Sequence, residues 1–208
     1  MNCGRWEYLK FNNNKVNTSS KIEYSSKYTQ PCEAIYGNLD SLVTDELIDL
    51  CRNAKYVIIF GHAKSGKIVL ANTISKRLGD RRVVSSDNSM SLGFKDSMYF
   101  LLKRIQTNDE QVIIEGIQMS RLLRKGIEMG NFYPEVVIHI DCAYETIRYG
   151  YVRCGEAHKV RQNGFLIKKW NHMIDVIFYD WYSMLTKIPE EKRPTIIKIS
   201  TSINKCNI

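Results

Sequence analysis

The sequence predicts an α/β fold in which a parallel sheet is covered on both faces by helices. Short runs with an uninterrupted apolar core, YVIIF (56–60), QVIIE (111–115) and EVVIHI (135–140), have the character of strands buried on both sides. Each is followed by a longer segment whose apolar residues recur at helical spacing, and strands alternating with helices are the pattern of a parallel sheet.

Taken in chain order, residues 1–38 are polar and rich in Asn, Ser, Lys and Tyr, with no sustained period, and are read as an irregular arm preceding a domain over 39–208. In the arm, Tyr8, Phe11, Tyr24 and Tyr28 are interleaved with Lys10, Lys15, Lys21 and Lys27. Such a mixture either stacks on bases and meets phosphates or tacks the arm to its own domain. The stretch LDSLVTDELIDLCRNA places Leu42, Leu47, Ile48 and Leu50 on an approximate helical face, with Thr44 or Asp45 as cap. Then come the strand 56–60, a helix over 66–78, the strand RRVVSS (81–86) and a helix through SLGFKDSMYFLLKRI. The strand 111–115, a helix over 118–129, the strand 135–140 and a helix through AYETIRYGYVRC follow. A long amphipathic helix over 165–186 and the strand PTIIKIS (194–200) complete a five-stranded sheet.

A chain of 208 residues suffices for one well-buried domain. Lys and Arg outnumber Asp and Glu by 30 to 22, a formal charge of +8. That excess suits an anionic partner, a nucleotide or a nucleic acid, and is also what a solvated basic surface looks like. The six cysteines form no CxxC pair and no Cys/His metal spacing, so a zinc site is not expected and the thiols read as free. No stretch approaches the roughly 18 apolar residues of a membrane span, and no signal segment is visible. The expectation is a cytoplasmic protein without a membrane partner.

Immediately after YVIIF stands GHAKSGKI (61–68), close to the pattern GxxxxGK[ST]. Between a strand and a helix, Gly61 and Gly66 let the backbone turn tightly, so that the N–H groups of His62, Ala63, Lys64, Ser65 and Gly66 face a phosphate at a helix N-terminus. Lys67 reaches the outer phosphates. Ile68 departs from the pattern, because Ser or Thr there normally supplies a hydroxyl to Mg²⁺. Carboxylates at the ends of later strands are the substitutes: Asp87, Glu115 and Asp141 share one crevice if the strands are parallel. Asp87 and Asp141 are also good helix caps. Glu115, followed by Gly116 at the end of a buried strand, is harder to explain structurally, because a carboxylate there needs a partner or solvent.

With these residues assembled, positions 56–200 resemble the P-loop kinases of the nucleoside and nucleotide kinase superfamily. GHAKSGK resembles their phosphate loop, VIIEG with Arg121 their third-strand acidic segment, and VVIHIDCAYETIRYGYVRCGE the strand leading into their lid. The resemblance implies a P-loop NTPase fold, ATP and Mg²⁺ as cofactors, and a lid around 148–164 carrying Arg148 and Arg153, with Lys159 and Arg161 as further cations. Arginines there would stabilise charge on the transferred phosphoryl group. It places Asp87 as the base that accepts a hydroxyl proton, Glu115 and Asp87 at the metal, and Asp87, Glu115 and Arg121 at the acceptor. The implied activity is transfer of the γ-phosphoryl group to a hydroxyl of a nucleoside, nucleotide or nucleic acid. Two alternatives stay open: a kinase of a hydroxymethylated base within DNA, and a regulatory module that binds a nucleotide without transferring phosphate.

Overall fold

The computed structural model describes residues 4–12, 15–17, 42–87, 94–106, 110–142 and 144–201. In chain order the elements are β1 (Gly4–Asn12), β2 (Lys15–Asn17), α1 (Asp45–Arg52), β3 (Tyr56–Gly61), α2 (Lys67–Arg77) and β4 (Val83–Ser85). They continue with α3 (Phe94–Gln106), β5 (Val112–Gly116), α4 (Met119–Met129), β6 (Val136–Cys142), α5 (Tyr144–Arg153), α6 (Ala157–Met184) and β7 (Thr195–Thr201). Every strand and helix expected between 42 and 201 is present.

The sheet order is β2-β1-β7-β6-β3-β5-β4. From β7 to β4 all neighbours are parallel. The central β3 lies between β5 on one side and β6 on the other, and β4, the next strand in the chain, stands at the edge beyond β5. Beyond β7 the sheet continues into residues expected to be irregular. β1 pairs antiparallel with β7, from Gly4 opposite Thr201 to Leu9 opposite Ile196, and β2 folds back on β1. The expectation of an irregular arm is therefore corrected for 4–12 and 15–17. These residues lack the β-branched alternation that marks a strand in sequence. What makes the strand is the open edge of β7, whose unpaired N–H and C=O groups accept a further partner. Tyr8, Lys10, Phe11 and Lys15 lie in the paired segments; Lys21, Tyr24, Lys27 and Tyr28 lie outside the described residues.

Because side chains alternate across a strand, the parallel strands feed two cores. Val57, Ile59, Ile113, Ile138 and Ile197 pack against Leu47 of α1 and Leu70 and Ile74 of α2. Ile58, Phe60, Ile114, Val137 and Ile196 pack on the other face against Leu101 of α3, Leu122 of α4, and Phe178 and Trp181 of α6. Thr44 caps α1 as expected, its hydroxyl accepting from the Leu47 N–H at 3.3 Å.

Helix α6 differs most from its expected limits: it begins at Ala157, well before 165, with a break at Asn163 (φ −126°, ψ 19°). Its 28 residues span about 42 Å at 1.5 Å per residue. That length lets Ile167 reach one core while Phe178 and Trp181 reach the other. The helix thereby crosses the carboxyl end of the sheet. Among the described residues no helix is long and apolar enough to cross a membrane.

His139 in the middle of β6 is a buried core residue, stacked on Phe60 with centroids 4.2 Å apart and packed on Phe178 at 4.6 Å. Burial pushes its imidazole down to about 4 from 6.5, against a smaller upward pull from Asp141. The unfolded chain therefore takes up this proton first as pH falls. Stability present above pH 6.5 is lost as pH falls through about 4, on the order of 3 kcal/mol at 1.36 kcal/mol per pKa unit. Urea unfolding of His139→Phe is expected to show a shallower loss of stability between pH 7 and pH 4.5 than the native chain. Parallel curves would remove His139 as the cause.

Candidate functional site

The register of the parallel strands brings four carboxyl ends to one level. Ser85 pairs with Glu115, Ile59 with Glu115, Phe60 with Gly116, and Gly61 with Ile140. The 61–67 loop leaves β3 at that level and enters α2. No side chain fits at its first residue: a Cβ on Gly61 would lie 2.6 Å from the Ile140 carbonyl oxygen. Gly66, with φ +91°, takes the left-handed conformation that admits glycine freely. Lys64 holds a left-handed φ of +61° without that freedom, which is uncommon outside tight functional turns.

Gly66 caps α2 without a side chain, and the first turn carries no acidic residue. The N–H groups there thus keep their capacity for an anion. The hydroxyl of Ser65, buried inside the loop, has no hydrogen-bond partner.

Lys67 is buried and donates from Nζ to the His62 carbonyl oxygen at 2.6 Å. Burial lowers its pKa; the negative charges of Glu115 and Asp87 act in the opposite sense. Glu115 is buried at the end of β5, and burial pushes its carboxyl above the ordinary 4.5. A hydrogen bond from Ser85 and the Lys67 charge pull it back, while the Asp87 charge adds to the upward shift. Asp87 is exposed just beyond β4, its backbone N–H donating to Ser85 Oγ at 3.2 Å. Lys67, Glu115 and Asp87 are therefore electrostatic neighbours, as their convergence at the strand ends requires. Gly116 allows the close approach of Ser86: at φ +141° a Cβ would collide with Ser86 Oγ.

Asp141 is drawn out of this group. Its carboxylate pairs with Lys198 of β7 at 2.8 Å. Burial pushes its pKa up, but the Lys198 hydrogen bond and charge outweigh that and hold it below the usual carboxylate range. Ile68 is 56% exposed, so its apolar side chain is not there to fill the core.

Arg121, near the start of α4, lines a cavity beside Ala63 of the loop. Arg148 is exposed on α5, and Arg161 is exposed on α6. Arg153 is the last residue of α5; its side chain lies outside the described residues. Among the described residues the 148–164 segment meets the loop at Lys64: Glu156 pairs with Lys64 at 3.0 Å and with Lys159 at 3.1 Å. Lys64 Nζ also stands 5.6 Å from the Tyr151 ring centroid.

Helix α6 supplies what sequence reasoning missed. Asp175 Oδ1 accepts a hydrogen bond from His62 Nε2 at 2.7 Å, fastening the loop to the helix. Asn171, one turn earlier, is buried. A signal existed in the stripe Ile167, Asn171, Ile174, Phe178, Trp181, where one amide interrupts an otherwise apolar face. Asp175 left no such trace, because its partner is remote in sequence. Neither protein-family models nor curated protein sequences yield a match to this chain, so the reading of the site rests on its own geometry.

Proposed function

We propose that the chain is an ATP-dependent phosphotransferase that moves the γ-phosphoryl group to a hydroxyl of a nucleoside, nucleotide or nucleic-acid acceptor. The observation that carries this reading is Lys67 at the start of α2, behind the glycine-bounded turn, with the Glu115 and Asp87 carboxylates acting on it. In this reading the N–H groups of 61–67 hold the outer phosphates, and Lys67 leaves the His62 carbonyl to meet the charge that develops on them. Asp87, exposed to the crevice end of β4, takes the proton from the acceptor hydroxyl. Arg148 and Arg153 belong to a lid that would supply further positive charge when it closes, with Glu156 releasing Lys64.

The donor set fits Mg²⁺. Glu115 and Asp87 are hard oxygen donors whose charges act on one another at the strand ends. One or two carboxylates plus substrate phosphates are the usual protein share for that ion. When bound, Mg²⁺ would neutralise charge on the phosphate oxygens.

Because the Glu115 carboxyl is raised above 4.5 and only its ionised form binds a cation, Mg²⁺ affinity is expected to rise with pH through that titration. Glu115→Gln should weaken binding and flatten the pH dependence, while Ile68→Ser is neutral or strengthens it. Metal titrations unchanged by Glu115→Gln would remove Glu115 from the metal site.

A second reading, nucleotide binding without transfer, is favoured by Ile68 in place of the hydroxyl. Labelled γ-phosphate transfer over nucleosides, nucleotides, oligonucleotides and modified DNA separates the two. Labelled acceptor supports the kinase; retained ATP with no transfer to any class favours the binding module.

A further inference from the structure

A cavity of about 270 Å³ opens between the 61–67 loop, the β5–α4 connection and α6. That is slightly below the roughly 300–1,000 Å³ of most ligand pockets, which suits one small ring system. Its walls are mainly apolar, with Ala63, Ile117 and Ile174 among them. Among the described residues that line it, Arg121 is the one cation and none is a carboxylate. Two of those residues bring buried polar atoms that have no partner: Ser120 Oγ and Asn171 Nδ2, in side chains whose residues are only 1% and 7% exposed. Trp170 also lines the cavity and is 56% exposed.

Buried polar groups are almost always satisfied, and two orphans from different helices, on residues of one cavity wall, leave hydrogen-bonding capacity that a ligand entering the chamber meets as the wall adjusts to it. The chemistry of the walls defines that ligand. A phosphate would have to shed its water into an apolar chamber with a single guanidinium to offset its charge, which is costly. A nucleobase has flat apolar faces and a polar edge. The faces match the aliphatic walls and the exposed indole, and the edge matches a hydroxyl and a carboxamide, which offers a donor from one end and an acceptor from the other.

We propose that this cavity binds the nucleobase of the phosphoryl acceptor, with Trp170 against the ring and Asn171 and Ser120 on its polar edge, and leaves any acceptor phosphate outside. The inference rests on the phosphotransferase reading for the word acceptor, and on the cavity alone for the nucleobase. The base can belong to a free nucleoside or to a nucleic-acid strand.

The test is calorimetric titration of the full chain with thymidine, adenosine, thymidine 5′-monophosphate and a short single-stranded oligonucleotide. A non-hydrolysable ATP analogue with Mg²⁺ is titrated in parallel. At least one nucleoside or the strand is expected to bind, and the monophosphate no tighter than thymidine. Trp170→Ala and Asn171→Leu are each expected to weaken that binding about tenfold while leaving the ATP analogue unaffected. Ile174→Trp, which fills the chamber, should abolish it. Trp170 is at the surface, so its variant remains informative if Ile174→Trp fails to fold. Binding of the free nucleosides alone, or of the strand alone, supports the site and assigns its source. Failure of all base-bearing probes to bind, or binding unchanged in both Trp170→Ala and Asn171→Leu, overturns the nucleobase site even when the ATP analogue binds. Base binding that Trp170→Ala and Asn171→Leu weaken, in a chain with no affinity for the ATP analogue, overturns the phosphotransferase reading and leaves the nucleobase site standing.

Discussion

Lys67→Ala is expected to lower phosphoryl transfer by a factor of about 10²–10³ or more, the scale on which a single preorganised donor to transition-state charge acts. The fold should survive. Lys67 is buried with burial opposing its charge, and its hydrogen bond to the His62 carbonyl is the interaction lost. A hydrogen bond from a charged donor contributes about 1.5–3 kcal/mol, and part of that loss is offset because the cost of burying the charge goes with it. Transfer assays alongside thermal unfolding separate the two quantities. Unchanged turnover in a folded Lys67→Ala protein would end the kinase reading.

Asp87→Asn carries the second large effect, a fall in kcat of about 10²–10⁴ for loss of a general base with ATP affinity nearly unchanged. The substitution also has a signature away from the chemistry. The Asp87 charge raises the Glu115 carboxyl, so without it Glu115 ionises at lower pH, and the pH dependence of Mg²⁺ binding should move to lower pH. A fall in kcat with no movement of that profile would place Asp87 at the acceptor but away from the metal. A full kcat would point to an acceptor that needs no base, such as a phosphate.

The N-terminal residues need a different experiment from the one their composition suggests. Lysines and aromatics in a detached arm invite a truncation and a measurement of salt-dependent nucleic-acid binding. With β1 paired along β7, removing 1–36 would also bare a sheet edge, a known source of self-association. Charge substitution at Lys10 and Lys15, with the strand backbone kept, is the cleaner test of phosphate contact.

The alternation of apolar runs with helical segments was sufficient to foresee five parallel strands, because strands buried on both faces and amphipathic helices have different apolar periods. The 61–67 turn was equally legible, since Gly61 and Gly66 are required by a close approach and a left-handed backbone. Asp87 and Glu115 could be singled out because each follows an apolar run, and parallel strands bring such ends together.

Three features could not be read this way, for one physical reason: each depends on where a remote surface comes to rest. β1 exists because β7 offers an unpaired edge. Asp141 belongs to Lys198, a partner on a neighbouring strand, and so leaves the cluster its position suggested. The length and path of α6 set Asp175 on His62 and Asn171 beside the loop. Local periodicity encodes which face of an element is apolar, and thereby the layers. Which polar groups meet across those layers is a property of the packed chain, where the cost of leaving a buried charge or amide unpaired selects among the partners that packing brings within reach.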